Sequence, residues 1–115
     1  MKREIADFIE DIIDTINKSL KFVENISYDE FTRDDKTLFA VIRAIEIIGE
    51  AVKNIPEDIR RDYPEIPWKG MAGMRDKVIH DYFGVDSKVV WDTIKNRFPE
   101  VRPLFERMLE DLGKK

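Results

Sequence analysis

At 115 residues, with a formal net charge of −4 and no cysteine, the chain suits one domain and excludes both a disulfide framework and thiolate chemistry. Its 43% apolar and 38% charged residues fit a soluble, folded protein with highly charged helix surfaces. The acidic balance gives no global pull toward nucleic acid, although a local basic groove stays compatible with it. No stretch is apolar enough to span a membrane, and the N-terminus runs straight into an amphipathic pattern, so a cytoplasmic setting is expected.

Ile5, Phe8, Ile9, Ile12, Ile16, Leu20 and Val23 recur at spacings of three and four, which predicts a helix over residues 3–24. Ser27 and Glu30 have the spacing of a capping box for one short helical turn. Thr32, Arg33, Asp34 and Asp35 then supply a polar connection and a cap. The next helix covers residues 35–54 and carries two apolar stripes. Leu38, Val41, Ile42, Ile45, Ile48 and Val52 form one; Ala40, Ala44, Ile47 and Ala51 form the other. Arg43, Glu46, Glu50 and Lys53 leave a narrow polar line. Two stripes imply two packing partners, so this helix is either central in the bundle or half buried in a dimer interface.

Pro56 suits the first position of a short helix ending at Arg61, and Tyr63-Pro64 and Ile66-Pro67 bracket a turn. The stretch Trp68 to Gly73 is either an irregular lead-in or a weak first turn, since two glycines three apart disfavour helix but let another backbone approach. The helix beyond it is expected to finish near Phe83, with Gly84 as its cap. Asp86 or Ser87 caps a helix whose buried side is Val90, Trp91, Ile94 and Phe98. Pro99 is expected to interrupt it, and Pro103 to lie near the start of a last helix carrying Leu104, Phe105, Met108, Leu109 and Leu112. No run alternates with period two, so the fold class is all-α.

Chemistry concentrates between Arg75 and Gly84, around the only histidine. Arg75 lies in the middle of an apolar arc formed by Met74, Val78, Ile79, Tyr82 and Phe83, where an arginine is costly unless something hydrogen-bonds it. Its planar fork can clamp a phosphate. His80 is either a surface histidine without a role or a proton carrier suited to neutral pH, with Asp76 one turn earlier to orient it. An arginine for the phosphorane and a histidine for the proton are what cleavage of RNA without a metal requires. Five residues separate the two side chains by about 140° around a regular helix, so they converge only if the helix distorts or two subunits share a cleft. Tyr82 is either a core aromatic or a group that meets a phosphate or accepts a modification. Trp68 and Trp91 are stacking platforms or core, with helical spacing placing Trp91 in the core. One histidine without cysteine makes no metal site, and no glycine loop for phosphate succeeds a strand, so neither metal nor cofactor is expected.

Arg75, four residues, His80, one residue and Tyr82 resemble the signature of HEPN-type ribonuclease toxins. Ile47-Ile48-Gly49-Glu50-Ala51-Val52, Ile66-Pro67-Trp68, Ala72-Gly73-Met74-Arg75-Asp76 and the run from His80 through Trp91 narrow the likeness to the HepT-like branch. The resemblance implies an antiparallel HEPN-type helical bundle of about four to five main helices, a single domain over residues 1–115, dimerised so that two arginine–histidine sites share a cleft. It implies a toxin of a toxin–antitoxin system, an endoribonuclease independent of metal. Its implied partners are RNA and an MntA-like nucleotidyltransferase antitoxin that transfers AMP to the motif tyrosine, here Tyr82; a higher complex with the antitoxin is left open. Arg75 would then bind the scissile phosphate, His80 act as base or acid, Asp76 tune His80, and Glu50 and Glu46 tether the dimer or the arginine cluster. The position after the motif arginine is often asparagine in the wider group, and Asp76 departs from that. A different class competes: a non-catalytic helical module that binds the nucleotidyltransferase, to which the acidic surface is suited.

Overall fold

Isoleucines three and four apart build α1 (Ile5–Phe22) and bury Ile9, Ile12 and Ile16 completely. These are features of a computed structural model that describes residues 4–80 and 86–113, His80 by its backbone alone. α2 (Tyr28–Thr32) is the single turn expected: Glu30 N–H donates to the Ser27 hydroxyl and Ser27 N–H donates to the Glu30 carboxylate, at 3.1 and 3.0 Å. A helix this short does not hold itself. Its Phe31 is buried with the ring 5.0 Å from that of Trp91, and Tyr28 meets Trp91 edge-on while its hydroxyl bonds Ser87.

α3 (Asp35–Lys53) begins on Asp34, which accepts from the N–H and the hydroxyl of Thr37 and is held below the usual carboxylate pKa mainly by those two bonds. The first apolar stripe and Ala44 and Ala51 of the second pack within the chain, while Ala40 and Ile47 are only partly buried. α3 packs against α1 on one side and α5 (Trp68–His80) on the other, and Val41, Ala44, Ile45, Ile48, Ala51 and Val52 are all buried. It is the central helix of the bundle, one of the two positions its pattern allowed.

α4 (Glu57–Arg61) comes after Pro56, whose extended ψ of 147° makes it the cap rather than the first helical residue expected. The turn beyond is tied at two points. Tyr63 donates its hydroxyl to Asp111 at 3.0 Å, and Trp68 donates Nε1 to the carbonyls of Arg60 and Tyr63 at 3.1 and 3.0 Å. The Trp68 ring is buried edge-on against Phe105. Trp68 is therefore core and not a stacking platform. With its start anchored so firmly, α5 is regular from Trp68 onward despite Gly70 and Gly73.

Asp86 caps α6 (Ser87–Asp92), the first of the two residues proposed for that role. Pro99 does not interrupt the helical path. The chain passes through a π-helical segment, Thr93–Arg97, into α7 (Phe98–Gly113), which contains Pro103 in its interior. Proline clashes with the carbonyl four residues back and lacks the N–H that would bond it. Here Phe98 N–H reaches back five residues to the Thr93 carbonyl, so the four-residue ladder is already relaxed when Pro99 arrives. Among the described residues there is no strand, and no helix is long and apolar enough to cross a membrane.

Candidate functional site

Arg75 sits where α5 crosses α3, and the crossing depends on Gly49. A Cβ on Gly49 would lie 2.1 Å from the Arg75 Cβ and 2.6 Å from its Cγ, far inside contact distance. Only the absence of that atom lets the aliphatic stem of Arg75 lie against the α3 backbone. This explains an arginine in the middle of an apolar arc: the stem packs, and the guanidinium reaches the polar line of α3. The side chain is 24% exposed.

Arg75 Nη1 donates to Asp76 Oδ1 at 3.1 Å, and Nη2 lies 3.8 Å from Glu50 Oε1. Nε is buried with no acceptor. Lys53 Nζ donates to the same Asp76 Oδ1 at 2.5 Å. Two cations and two carboxylates thus form one small cluster of zero formal charge. The Lys53 hydrogen bond, and after it the Arg75 bond, holds the Asp76 carboxyl below the usual carboxylate range, so it is an anion at neutral pH.

Of the residues singled out from sequence, the structure brings Arg75, Asp76 and Glu50 together. Glu46 is elsewhere, bonded to Arg43 at 3.2 Å on its own helix. The backbone of His80 occupies the last position of α5, and its ring is not among the described side chains. The helix is unbroken from Arg75 to His80, so the angular separation of about 140° stands. Tyr82 lies outside the described residues, as do the expected helix end near Phe83 and its Gly84 cap.

Sequence reasoning missed one member of the cluster, Lys53, and the glycine that seats Arg75. Lys53 was visible as the residue one turn beyond Glu50 on the polar line. Gly49 carried a sharper signal, because a mid-helix glycine costs about 1 kcal/mol relative to alanine and needs a reason. Among the described residues no backbone uses the room that Gly70 and Gly73 leave: a Cβ on Gly73 meets nothing within 4 Å, and one on Gly70 only touches the Pro67 side chain at 4.0 Å. Among the described residues no three acidic or histidine side chains converge as metal ligands would. A cavity of about 410 Å³ opens between α3, α5 and α7, lined by Ile48, Met71, Met74, Phe98 and Val101 among others, but none of the four charged residues lines it.

An all-helical bundle with an arginine seated at a glycine crossing, and a histidine later on the same helix, defines a class that comparison with known proteins makes explicit. The chain belongs to the HepT-like family of ribonucleases: the family described as "Ribonuclease HepT-like" matches residues 12–108. It is 53% identical over 94% of its length to a protein of Thermococcus cleftensis named "Probable ribonuclease HepT", covering 98% of that protein. Two proteins of Methanocaldococcus jannaschii named as candidate RNases, MJ1216 and MJ0125, are each 48% identical to it. The matches span 96% and 99% of this chain, and 92% and 98% of theirs. No solved structure matches the chain.

Proposed function

We propose that this protein is a metal-independent endoribonuclease, the toxin of a toxin–antitoxin pair, with Arg75 and His80 as its catalytic residues. The observation that carries the reading is Arg75 itself, held at the Gly49 crossing with its side chain 24% exposed, in a chain of the HepT-like ribonuclease family.

In this reaction the 2′-hydroxyl of the RNA attacks the neighbouring phosphorus and the bond to the 5′-oxygen breaks. The products are a 2′,3′-cyclic phosphate and a 5′-hydroxyl. Neutral His80 takes the 2′-hydroxyl proton, and a protonated His80 supplies one to the departing 5′-oxygen, so protons balance. Arg75 stabilises the extra negative charge on the phosphorane. A homodimer with both motifs in one cleft supplies two histidines and removes the difficulty of the 140° separation. Asp76 positions and tunes His80 from one turn before it. Control comes from an MntA-like nucleotidyltransferase: the Tyr82 hydroxyl attacks the α-phosphorus of ATP, pyrophosphate leaves, and the bulky anionic adduct repels RNA.

One observation favours a second reading, a module that mainly binds the nucleotidyltransferase. The cluster around Arg75 is charge-balanced within a chain of net charge −4, so it offers RNA little attraction as it stands. Cleavage of mixed cellular RNA in EDTA separates the two. Unmodified wild type should leave 2′,3′-cyclic phosphate ends, with Arg75→Ala and His80→Ala each slower by at least about 100-fold. Mass spectrometry on the same sample reports the state of Tyr82. Folded, unmodified wild type that cuts nothing would establish the binding module instead.

A further inference from the structure

We infer that Lys53 and Arg75 form a two-cation phosphate site in which Asp76 stands in for a phosphate oxygen and is displaced when RNA binds, making Lys53 a substrate-binding residue. The inference rests on the ribonuclease reading and adds to it a residue from a different helix.

The geometry is a convergence on one atom. Lys53 Nζ and Arg75 Nη1, from α3 and α5, both donate to Asp76 Oδ1, at 2.5 and 3.1 Å. A point within hydrogen-bond reach of two cationic donors is where a bridging phosphate oxygen sits, and the carboxylate oxygen now occupies it. The occupant is poorly secured. The Asp76 and Lys53 side chains are 46% and 41% exposed, and exposed ion pairs of this kind contribute little. Arg75 is also not saturated: the 3.8 Å separation of Nη2 from Glu50 is too long for a hydrogen bond. With Asp76 in place the four side chains sum to zero charge; a phosphodiester in its place restores that balance while the carboxylate swings away.

The test measures binding of a 2′-O-methylated oligoribonucleotide, which cannot be cut, alongside cleavage of its unmodified counterpart. Lys53→Ala should weaken binding about tenfold and flatten the dependence of log affinity on log salt by about 0.7, the value for losing one contact to a single strand. Lys53→Arg should restore both. Asp76→Asn should tighten binding, because the competing anion is gone, while lowering kcat. If the Lys53–Asp76 pair were only a tie between helices, both variants would lose thermal stability together and shift binding in the same direction. That result, or unchanged affinity and salt slope in Lys53→Ala, overturns the inference while the ribonuclease reading stands on His80-dependent cleavage by wild type. Wild type that neither binds nor cuts RNA overturns both.

Discussion

α1 and α5 are both packed against the central helix α3, yet they are held in opposite ways. α1 follows its local rules: its isoleucines are periodic, Glu4 N–H donates to the Asp7 carboxylate in its first turn, and Ile9, Ile12 and Ile16 see no solvent. α5 breaks local rules. It contains Gly70, Gly73 and a largely buried arginine, and among its described side chains Trp68 and Val78 are the buried apolar ones. What keeps it helical is tertiary: Trp68 pinned to two carbonyls at its start, and Arg75 fitted over Gly49 in its middle. An element that satisfies its own rules serves stability, and one that depends on its neighbours is where a functional site is to be sought.

The contrast can be broken by mutation, beginning with the largest effect. Ile12→Ala should cost about 2–5 kcal/mol in denaturant unfolding through the core cavity it opens, with cleavage per folded molecule unchanged. Gly49→Ala should cost about 1–3 kcal/mol through overpacking and, unlike Ile12→Ala, should abolish RNA binding in the molecules that remain folded, because it displaces Arg75. Ser27→Ala should cost about 1 kcal/mol and alter the fluorescence of Trp91, since the capping box holds the turn that packs Phe31 and Tyr28 on that ring.

Two smaller effects sharpen the same comparison. Gly73→Ala should raise stability by about 0.5–1 kcal/mol, because its Cβ enters open space and glycine is the poorer helix former. A more stable Gly73→Ala protein with reduced cleavage would show that this side of α5 faces RNA or a second subunit. The last is a pH effect. The Asp76 pKa is depressed, so its contribution is complete above the unfolded value and is lost only as pH falls through the lower folded one. Between about pH 5 and 8 its charge does not change, so the pH dependence of thermal stability across that window should be the same in Asp76→Asn as in wild type.

Most helix boundaries were readable because capping and apolar spacing act over a few residues: Ser27 with Glu30, Asp34 before α3 and Asp86 before α6 all do what their positions predict. Pro99 misled because its steric rule assumes a four-residue ladder, which the preceding π turn had already relaxed. The glycines of α5 left two readings open, of which the helical one holds, because a sequence shows that a Cβ is missing but not which backbone, if any, uses the space.

Spacing and residue chemistry alone made this an all-helical chain, gave α3 two packing partners, and marked Arg75, Asp76 and His80 on one helix. They could not say which partners Arg75 would find. That was decided by the crossing of α3 and α5 at Gly49, which sets Glu50 beside Arg75, brings Lys53 to Asp76 and leaves Glu46 to Arg43. Helical periodicity is a property of neighbours in the chain; the crossing point of two helices depends on side-chain volumes contributed by both, and no single stretch of sequence contains it.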